Sequence, residues 1–249
     1  MIIDYGFVPI SADLRTVITI GSFDGVHKGH RVLLDHLKAM AARLNARSVV
    51  VTFDPHPRIA MGRDGGMGLL TTVEERALLL REAGIDNLVV AHFDEEFRRQ
   101  SYEEFVEQSL VQGLGMRGMI VGYNHRLGCG SEGNYERLVP MSERCGFALE
   151  CVAQHRVDDA KVSSTVVRDV MSRGDMREVE HLLGQRYLIM GEAKSGIVAI
   201  ADEYKLLPAS GLYEADITYN NIRYSAQIEI FDRRVVLPEK ISGKIVIEL

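Results

Sequence analysis

The sequence has few cysteines, no long apolar run and no excess of positive charge, and each shortage narrows what the protein can be. Cys129, Cys145 and Cys151 are odd in number and never spaced as C-x-x-C. Neither a disulfide framework nor a zinc site is suggested, and a reducing cytoplasm fits best. No stretch approaches the roughly 18 consecutive apolar residues that span a bilayer. The opening MIIDYGFVPI lacks the basic region and apolar core of a signal peptide. The net charge of −6 argues against nucleic acid as the main partner, because backbone phosphates need a basic surface. A small anionic ligand held by a few local groups remains compatible. What is present is 46% hydrophobic and 26% charged residues over 249 positions. That composition is expected of a soluble globular protein with one large domain, or a medium domain plus a small one.

Strand and helix patterns alternate through the first two thirds of the chain. TVITI (16–20) is short, β-branched and closed by glycine, which predicts a buried strand. Residues 28–45 carry Val32, Leu33, Leu37, Met40, Ala41 and Leu44 at helical spacing. Further strands are predicted over 47–53, 87–93, 117–122 and 147–153, with helices over 72–83, 101–112 and near 135–145. Such alternation implies a parallel sheet covered on both faces. Ligands bind such sheets beyond the carboxyl ends of the strands, which puts Gly21–His30, Phe53–Pro57 and Gly122–Gly130 on one rim. After about residue 185 the pattern changes to short alternating runs at 213–219, 224–230, 233–237 and 244–249, parted by Asn220-Asn221 and Ser242-Gly243. These predict a small antiparallel β domain, joined to the first by the helical stretch 165–184. The expected domains are 1–185 and 186–249.

The stretch GSFDGVHKGH (21–30) sits between the first of these strands and its helix. Backbone N–H groups at a helix start are unpaired and backed by the helix dipole, so they attract anions. Gly21, Gly25 and Gly29 allow close approach to the backbone. His27 and His30, three apart, share a helix face and can both reach one phosphate. No H-E-x-x-H pattern or third ligand favours a metal instead. The alternative is a set of polar loop residues that merely cap the helix.

Downstream, Asp54-Pro55-His56-Pro57 follows a buried strand, and its prolines stiffen a loop that could hold a ligand in a fixed pose; a solvated turn is the other reading. Ser163-Ser164-Thr165 precedes a helical pattern, so its hydroxyls can cap the helix or bind an anion. Arg168, one turn after Ser164, faces the same way and suits a phosphate oxygen; here an ordinary capped helix with an exposed Arg stays open. His36, His92, His155 and His181 are expected to be structural or surface residues. Asp94-Glu95-Glu96 is expected to be a solvated helix start.

The H-x-G-H motif after a first strand resembles the nucleotidylyltransferase superfamily, which includes class I aminoacyl-tRNA synthetases. Lys161-Val162-Ser163-Ser164 faintly resembles the synthetases' K-M-S-K-S loop, but the chain is short and acidic for a synthetase. In order, TVITIGSFDGVHKGH (16–30), VTFDPHP (51–57), VGYNHRLG (121–128), VSSTVVR (162–168) and GDM…LLGQRY (174–187) resemble the adenylyltransferase half of prokaryotic bifunctional riboflavin kinase/FMN adenylyltransferases. The resemblance covers roughly residues 14–190. It implies a Rossmann-like α/β fold and transfer of AMP from ATP to FMN, with Mg²⁺ bridging the phosphates. His27, His30 and Arg168 would be catalytic. Gly21, Ser22, Phe23, Asp24, Gly25, Gly29, Asn124, Arg126, Ser163, Ser164 and Thr165 would bind ATP, and Phe53, Asp54, His56 and Pro57 the flavin. At 122–128 the family form is close to G-x-D-F-R-F-G; here Asn124 replaces the acid and His125 an aromatic ring. The family's riboflavin-kinase barrel carries a P-T-A-N run that holds magnesium and phosphate. The corresponding region, Ser195 to Asp202, has none; Gln227 or Glu229 falls where the family has its base, and the chain ends before the family's terminal helices. A shortened barrel without kinase activity is therefore implied. The rivals are a catalytically reduced flavin or nucleotide sensor and an adenylyltransferase for another phosphate-bearing cofactor precursor. Neither nucleic acid nor a membrane is implied as a partner, and protein partners are left open.

Overall fold

The computed structural model describes residues 1–8, 15–63, 65–153, 156–157 and 160–249. By their contacts they divide into two compact units, one of 1–23, 29–65 and 79–155, the other of 24–28, 66–78 and 156–249.

The first unit holds a six-stranded sheet: β1 (Ile2–Tyr5), β2 (Thr16–Ile20), β3 (Arg47–Asp54), β4 (Asn87–His92), β5 (Met116–Gly122) and β6 (Ala148–Val152). Their order is β1-β4-β3-β2-β5-β6, and every pairing is parallel. Parallel pairing needs covered faces, and the central strands comply: all five residues of β2 are buried. The order runs outward from β2 through β3 and β4, then reverses to β5 on its other side. That reversal opens a crevice at the carboxyl ends of β2 and β5. β1 is an edge strand with a half-exposed pattern, and its sequence has no buried run to announce it.

The helices are α1 (Lys28–Arg43), α2 (Pro57–Ala60), α3 (Val73–Glu82), α4 (Glu95–Arg99), α5 (Tyr102–Glu104), α6 (Tyr135–Cys145), α7 (Ser164–Ser172) and α8 (Met176–Leu183). α1 buries Leu34, Leu37, Met40 and Ala41 at helical spacing. The helix predicted over 101–112 differs in kind. Ser101 and Glu104 form a capping box at α5, and Phe105–Gly113 then continues as a π-helix. Phe105 and Leu110, both buried, lie five residues apart, the spacing that wider i→i+5 bonding brings to one face.

In the second unit, β7 (Arg156–Val157) and β8 (Ala160–Lys161) form a two-stranded ladder. β9 (Leu188–Lys194), β10 (Ile197–Ala199), β11 (Gly211–Tyr219), β12 (Ile222–Phe231), β13 (Arg234–Val236) and β14 (Gly243–Glu248) close an antiparallel barrel in the order β10-β13-β12-β11-β14-β9. The β11–β12 turn places Asn220 and Asn221 at φ 49° and 63°, the left-handed pair that a tight hairpin requires. β9 and β10 are additions to the four predicted strands. Gly191 interrupts the β9 pattern because a Cβ there would meet Val198 Cγ1 at 2.5 Å. The barrel interior (Ile189, Val198, Ile217, Val235, Ile247) forms one core with Val167 and Met171 of α7 and Val179, Leu182 and Leu183 of α8.

Candidate active site

The crevice predicted by the sheet order contains a cavity of 690 Å³ in the first unit, within the usual range for a small-molecule site. Its lining joins the three rim segments: Ile20, Gly21 and Ser22 after β2, Phe53, His56 and Pro57 after β3, and His125–Gly130 after β5. Phe53, Phe93, Phe97 and Phe105 make a wall of tilted and edge-to-face rings with centroids 5.3–5.7 Å apart. Arg63, Arg98, Arg99 and Arg126 also line it; Arg98 pairs with Glu95. Such a cavity suits a planar ring with an anionic tail.

Each segment is held locally. Thr52 Oγ1 donates to Ser22 O at 3.1 Å. His56 caps α2, its Nδ1 accepting the Arg58 N–H at 3.2 Å, and the Asp54–Pro55 peptide is cis. Asp94 caps α4 by accepting the Phe97 N–H at 2.8 Å, so the acidic cluster is a helix start that also sets Phe97 into the wall. His30, in the first turn of α1, is half-buried with its ring 4.9 Å from that of Phe23.

The second unit receives Asp24–Lys28, and Asp24 is its hub. Its carboxylate is fully buried, accepts the N–H groups of Leu70 (3.1 Å) and Thr71 (2.9 Å), and pairs with Arg168 Nη2 at 2.5 Å. Arg168 Nε donates to Gly68 O at 2.7 Å, and Ser164 Oγ to Asp24 O at 2.9 Å. Ser164 and Arg168 thus share a face, as their spacing requires. Ser163 caps α7, accepting the Val166 N–H at 3.4 Å. Thr165 is exposed. Gln185 Nε2 donates to Gly25 O at 3.1 Å. His27 is 6% exposed. Burial pushes its ring down to about 4, against the opposing pull of Asp24 and of a bond to its own backbone.

Several of the expected ligand residues do not line this cavity. Asp54 and Asn124 are exposed and outside the cavity lining; His125 takes the inward position beside Asn124. Phe23 is buried against His30 rather than lining the cavity. Gly25 serves internal packing: at φ 81°, its Cβ would meet Leu70 Cδ1 at 2.8 Å. The carboxylate of Asp24 is taken up by protein groups, so it positions Arg168 instead of facing solvent. The rings that sequence reasoning missed, Phe93, Phe97 and Phe105, had a faint signal in F-D-E-E-F, where two aromatics are spaced one helical turn apart. Of the histidines set aside, His36 pairs with Glu150 at 2.5 Å and His92 lies 3.2 Å from Asp54 O; His181 sits in the last turn of α8, and His155 lies outside the described residues. Among the described residues no group of three or more His, Cys, Asp or Glu is placed to hold a metal ion.

Residues 10–166 match the sequence profile of the FAD synthetase family. The chain belongs to the FAD synthetase family. It is similar to the bifunctional riboflavin kinase/FMN adenylyltransferase of Haemophilus influenzae, 34% identical over 180 residues, which are 72% of this chain and 58% of that one. It is also similar to the FAD synthetase of Listeria monocytogenes, 29% identical over 215 residues, 86% of each chain. The chain thus spans about 58% of the length of bifunctional relatives such as the H. influenzae protein. A solved structure titled as a macrolide-efflux protein from Streptococcus pneumoniae has the same fold, with a TM-score of 0.85 and 20% identity, covering 100% of this chain and 90% of that one. Among the described residues no helix of this FAD synthetase family member is long and apolar enough to cross a membrane.

Proposed function

We propose that the protein is an FMN adenylyltransferase, converting FMN and ATP to FAD and pyrophosphate. The observation that carries this reading is the cavity at the β2/β5 crevice, where Gly21 and Ser22 of the GSFDGVHKGH segment meet Phe53, His56 and Pro57. Membership of the FAD synthetase family supports it. The flavin ring would lie against the phenylalanine wall. A phosphate oxygen of FMN attacks the α-phosphorus of ATP, and the bond from that phosphorus to the bridging oxygen breaks, leaving pyrophosphate with the electron pair.

The work of the protein is alignment and charge stabilisation. His27 and His30, at the opening of the 16-residue α1, offer ring N–H donors to the phosphate oxygens beside the helix dipole. Burial keeps His27 neutral, so it serves as a donor, and a bound polyphosphate would raise its affinity for a proton. Arg168 is fixed by Asp24 and Gly68 O through two of its nitrogens, and with five N–H donors in all it retains others for phosphate. Ser164 and Asp24 position Arg168 and the loop, leaving the exposed Thr165 as the free hydroxyl of that run. Mg²⁺ carried on the ATP phosphates would neutralise charge on the leaving group.

We infer in addition that the barrel does not phosphorylate riboflavin. The absence of a P-T-A-N run supports this, as does the apolar filling of the barrel interior. One assay tests both parts: protein with Mg²⁺-ATP and, in turn, FMN, riboflavin or other phosphate-bearing cofactor precursors, read by chromatography. FAD from FMN alone is expected. FMN formed from riboflavin would overturn the kinase inference, and flavin binding without product would favour a sensor.

A further inference from the structure

We propose that Lys205 is a positioning residue for Arg168: from the connection between β10 and β11 it fixes the 68–71 segment, which in turn anchors Asp24 and Arg168. The inference rests on the reading of Arg168 as a phosphate-binding group of an FMN adenylyltransferase and deepens it. It also gives a barrel without a P-T-A-N run a part in adenylyl transfer. Every residue in this series of contacts belongs to the second unit.

The 68–71 segment is hydrogen-bonded along both sides. On one side it holds the arginine. Gly68 O accepts Arg168 Nε at 2.7 Å, and the N–H groups of Leu70 and Thr71 donate to the Asp24 carboxylate at 3.1 and 2.9 Å. Asp24 pairs with Arg168 Nη2 at 2.5 Å. On the other side the segment is held by residues 204–206. Leu69 N–H donates to Tyr204 O at 2.6 Å, Leu206 N–H to Leu69 O at 2.7 Å, and Lys205 Nζ to Leu70 O at 2.8 Å. Two successive peptide planes therefore work alike. Leu69 O and Leu70 N–H share one plane, Leu70 O and Thr71 N–H the next, and a peptide plane turns as a unit. In each, the carbonyl is gripped by residue 205 or 206 and the N–H is aimed at Asp24. Lys205 is the directional part of this grip. Its ammonium also bonds Glu75 Oε2 at 2.6 Å and Leu188 O at 2.7 Å, which occupies all three of its N–H groups. Glu75 lies in α3 and Leu188 opens β9, so one ammonium ties the segment to a helix and to the barrel wall. The Lys205 and Glu75 side chains are fully buried. Such a pair is costly to desolvate and is often replaceable by apolar residues without loss of stability. What it supplies here is a fixed direction for Leu70 O, and so for the N–H that holds Asp24. An arginine fork stabilises phosphate charge best when it is already set in place.

The test is steady-state kinetics of the full chain with Mg²⁺-ATP and FMN, crossing Lys205→Met/Glu75→Gln with Arg168→Lys. The paired change removes both buried charges, so neither is stranded. It is expected to lower kcat/KM for ATP about tenfold, within the coupling found for residues of one network, and to leave the KM for FMN within about twofold. Made in the Arg168→Lys background, it should change kcat/KM for ATP less than about twofold, because the guanidinium it positions is gone. A loss of folding without positioning would not vanish in that background. If the paired variant does not fold, Arg233→Gln decides. Arg233 donates to Lys205 O at 3.1 Å and to Asp202 O at 2.7 Å from an exposed turn, so its loss slackens the connection and leaves the core intact. It should lower kcat/KM for ATP about threefold in the parent and not in Arg168→Lys. The proposal is overturned if the deciding variant keeps parental kinetics, if its loss multiplies with that of Arg168→Lys, or if the loss falls on FMN. Failure of the underlying reading is distinct: the parent would make no FAD from FMN and ATP, or Arg168→Lys alone would leave kcat/KM for ATP unchanged.

Discussion

At the scale of single residues, the proposed reaction would depend on donors aimed at charge that develops as pyrophosphate leaves. Removing one such donor lowers turnover about 10²–10³-fold in comparable sites. His30→Ala should slow FAD formation by that order while circular dichroism and melting stay close to the parent; near-normal turnover would remove His30 from the mechanism. A second expectation concerns acid. Burial lowers the rings of both His27 and His125 to about 4, from about 6.5 in an unfolded chain. Between those values the unfolded chain binds the extra protons, so stability is full above about pH 6.5 and is lost as pH falls toward 4. Urea unfolding across that window should show a fall of up to about 1.4 kcal/mol per pH unit for each histidine. His125→Phe should remove one share of the slope; a flat profile in the parent would contradict the burial of both rings. Placement was legible where a motif is tight and local: His30 falls in the first turn of α1, His56 lines the cavity, and Arg168 shares a face with Ser164 as their spacing requires. Asn124 and His125 both stand out in the sequence, but two adjacent residues of a turn do not reveal which side chain points inward; in the folded turn His125 joins the cavity lining and Asn124 is exposed.

At the scale of elements, the loop joining β2 to α1 is tightly constrained at Gly25. Gly25 has φ 81° and close contacts from Leu70 and Leu183, so Gly25→Ala combines backbone strain with a clash. It should destabilise by about 1–3 kcal/mol and depress FAD formation by disturbing the adjoining His27. Gly174→Ala, at φ 79° with nothing within 4 Å of its Cβ, carries the backbone strain alone and should cost less. Denaturant melts of the two variants compare them directly; equal losses would show that packing around Gly25 is not what requires glycine. The continuous β-branched runs of β2 and β3 and the helical spacing of α1 and α6 made those elements readable in advance. β1 was not, because an edge strand buries too little to alternate clearly. The π-helix was not, because apolar spacing over so few turns does not separate 3.6-residue winding from wider winding.

At the scale of the whole molecule, contacts distant in sequence decide what local pattern cannot show. Lys205, in DEYKLLP, reads as a surface lysine, yet its side chain is fully buried. Its ammonium reaches Glu75 Oε2 at 2.6 Å, Leu70 O at 2.8 Å and Leu188 O at 2.7 Å, with the Tyr187 ring centroid 4.2 Å away. Glu75 in turn accepts from Thr72 N and Met190 N. Burial lowers the affinity of Lys205 for its proton while Glu75 opposes that shift. Lys205→Met would strand the Glu75 carboxylate and should cost about 3–5 kcal/mol; adding Glu75→Gln should restore part of it, read by denaturant unfolding. The sheet-then-barrel architecture itself was legible, because a change from alternating strand and helix to turn-separated strands is a property of long stretches. The central claim, that AMP passes from ATP to FMN, is tested most directly with ATP labelled at the α-phosphorus. The account predicts the label in FAD and none in pyrophosphate or free phosphate. Label remaining in ATP, or appearing in AMP with FMN unchanged, would contradict it.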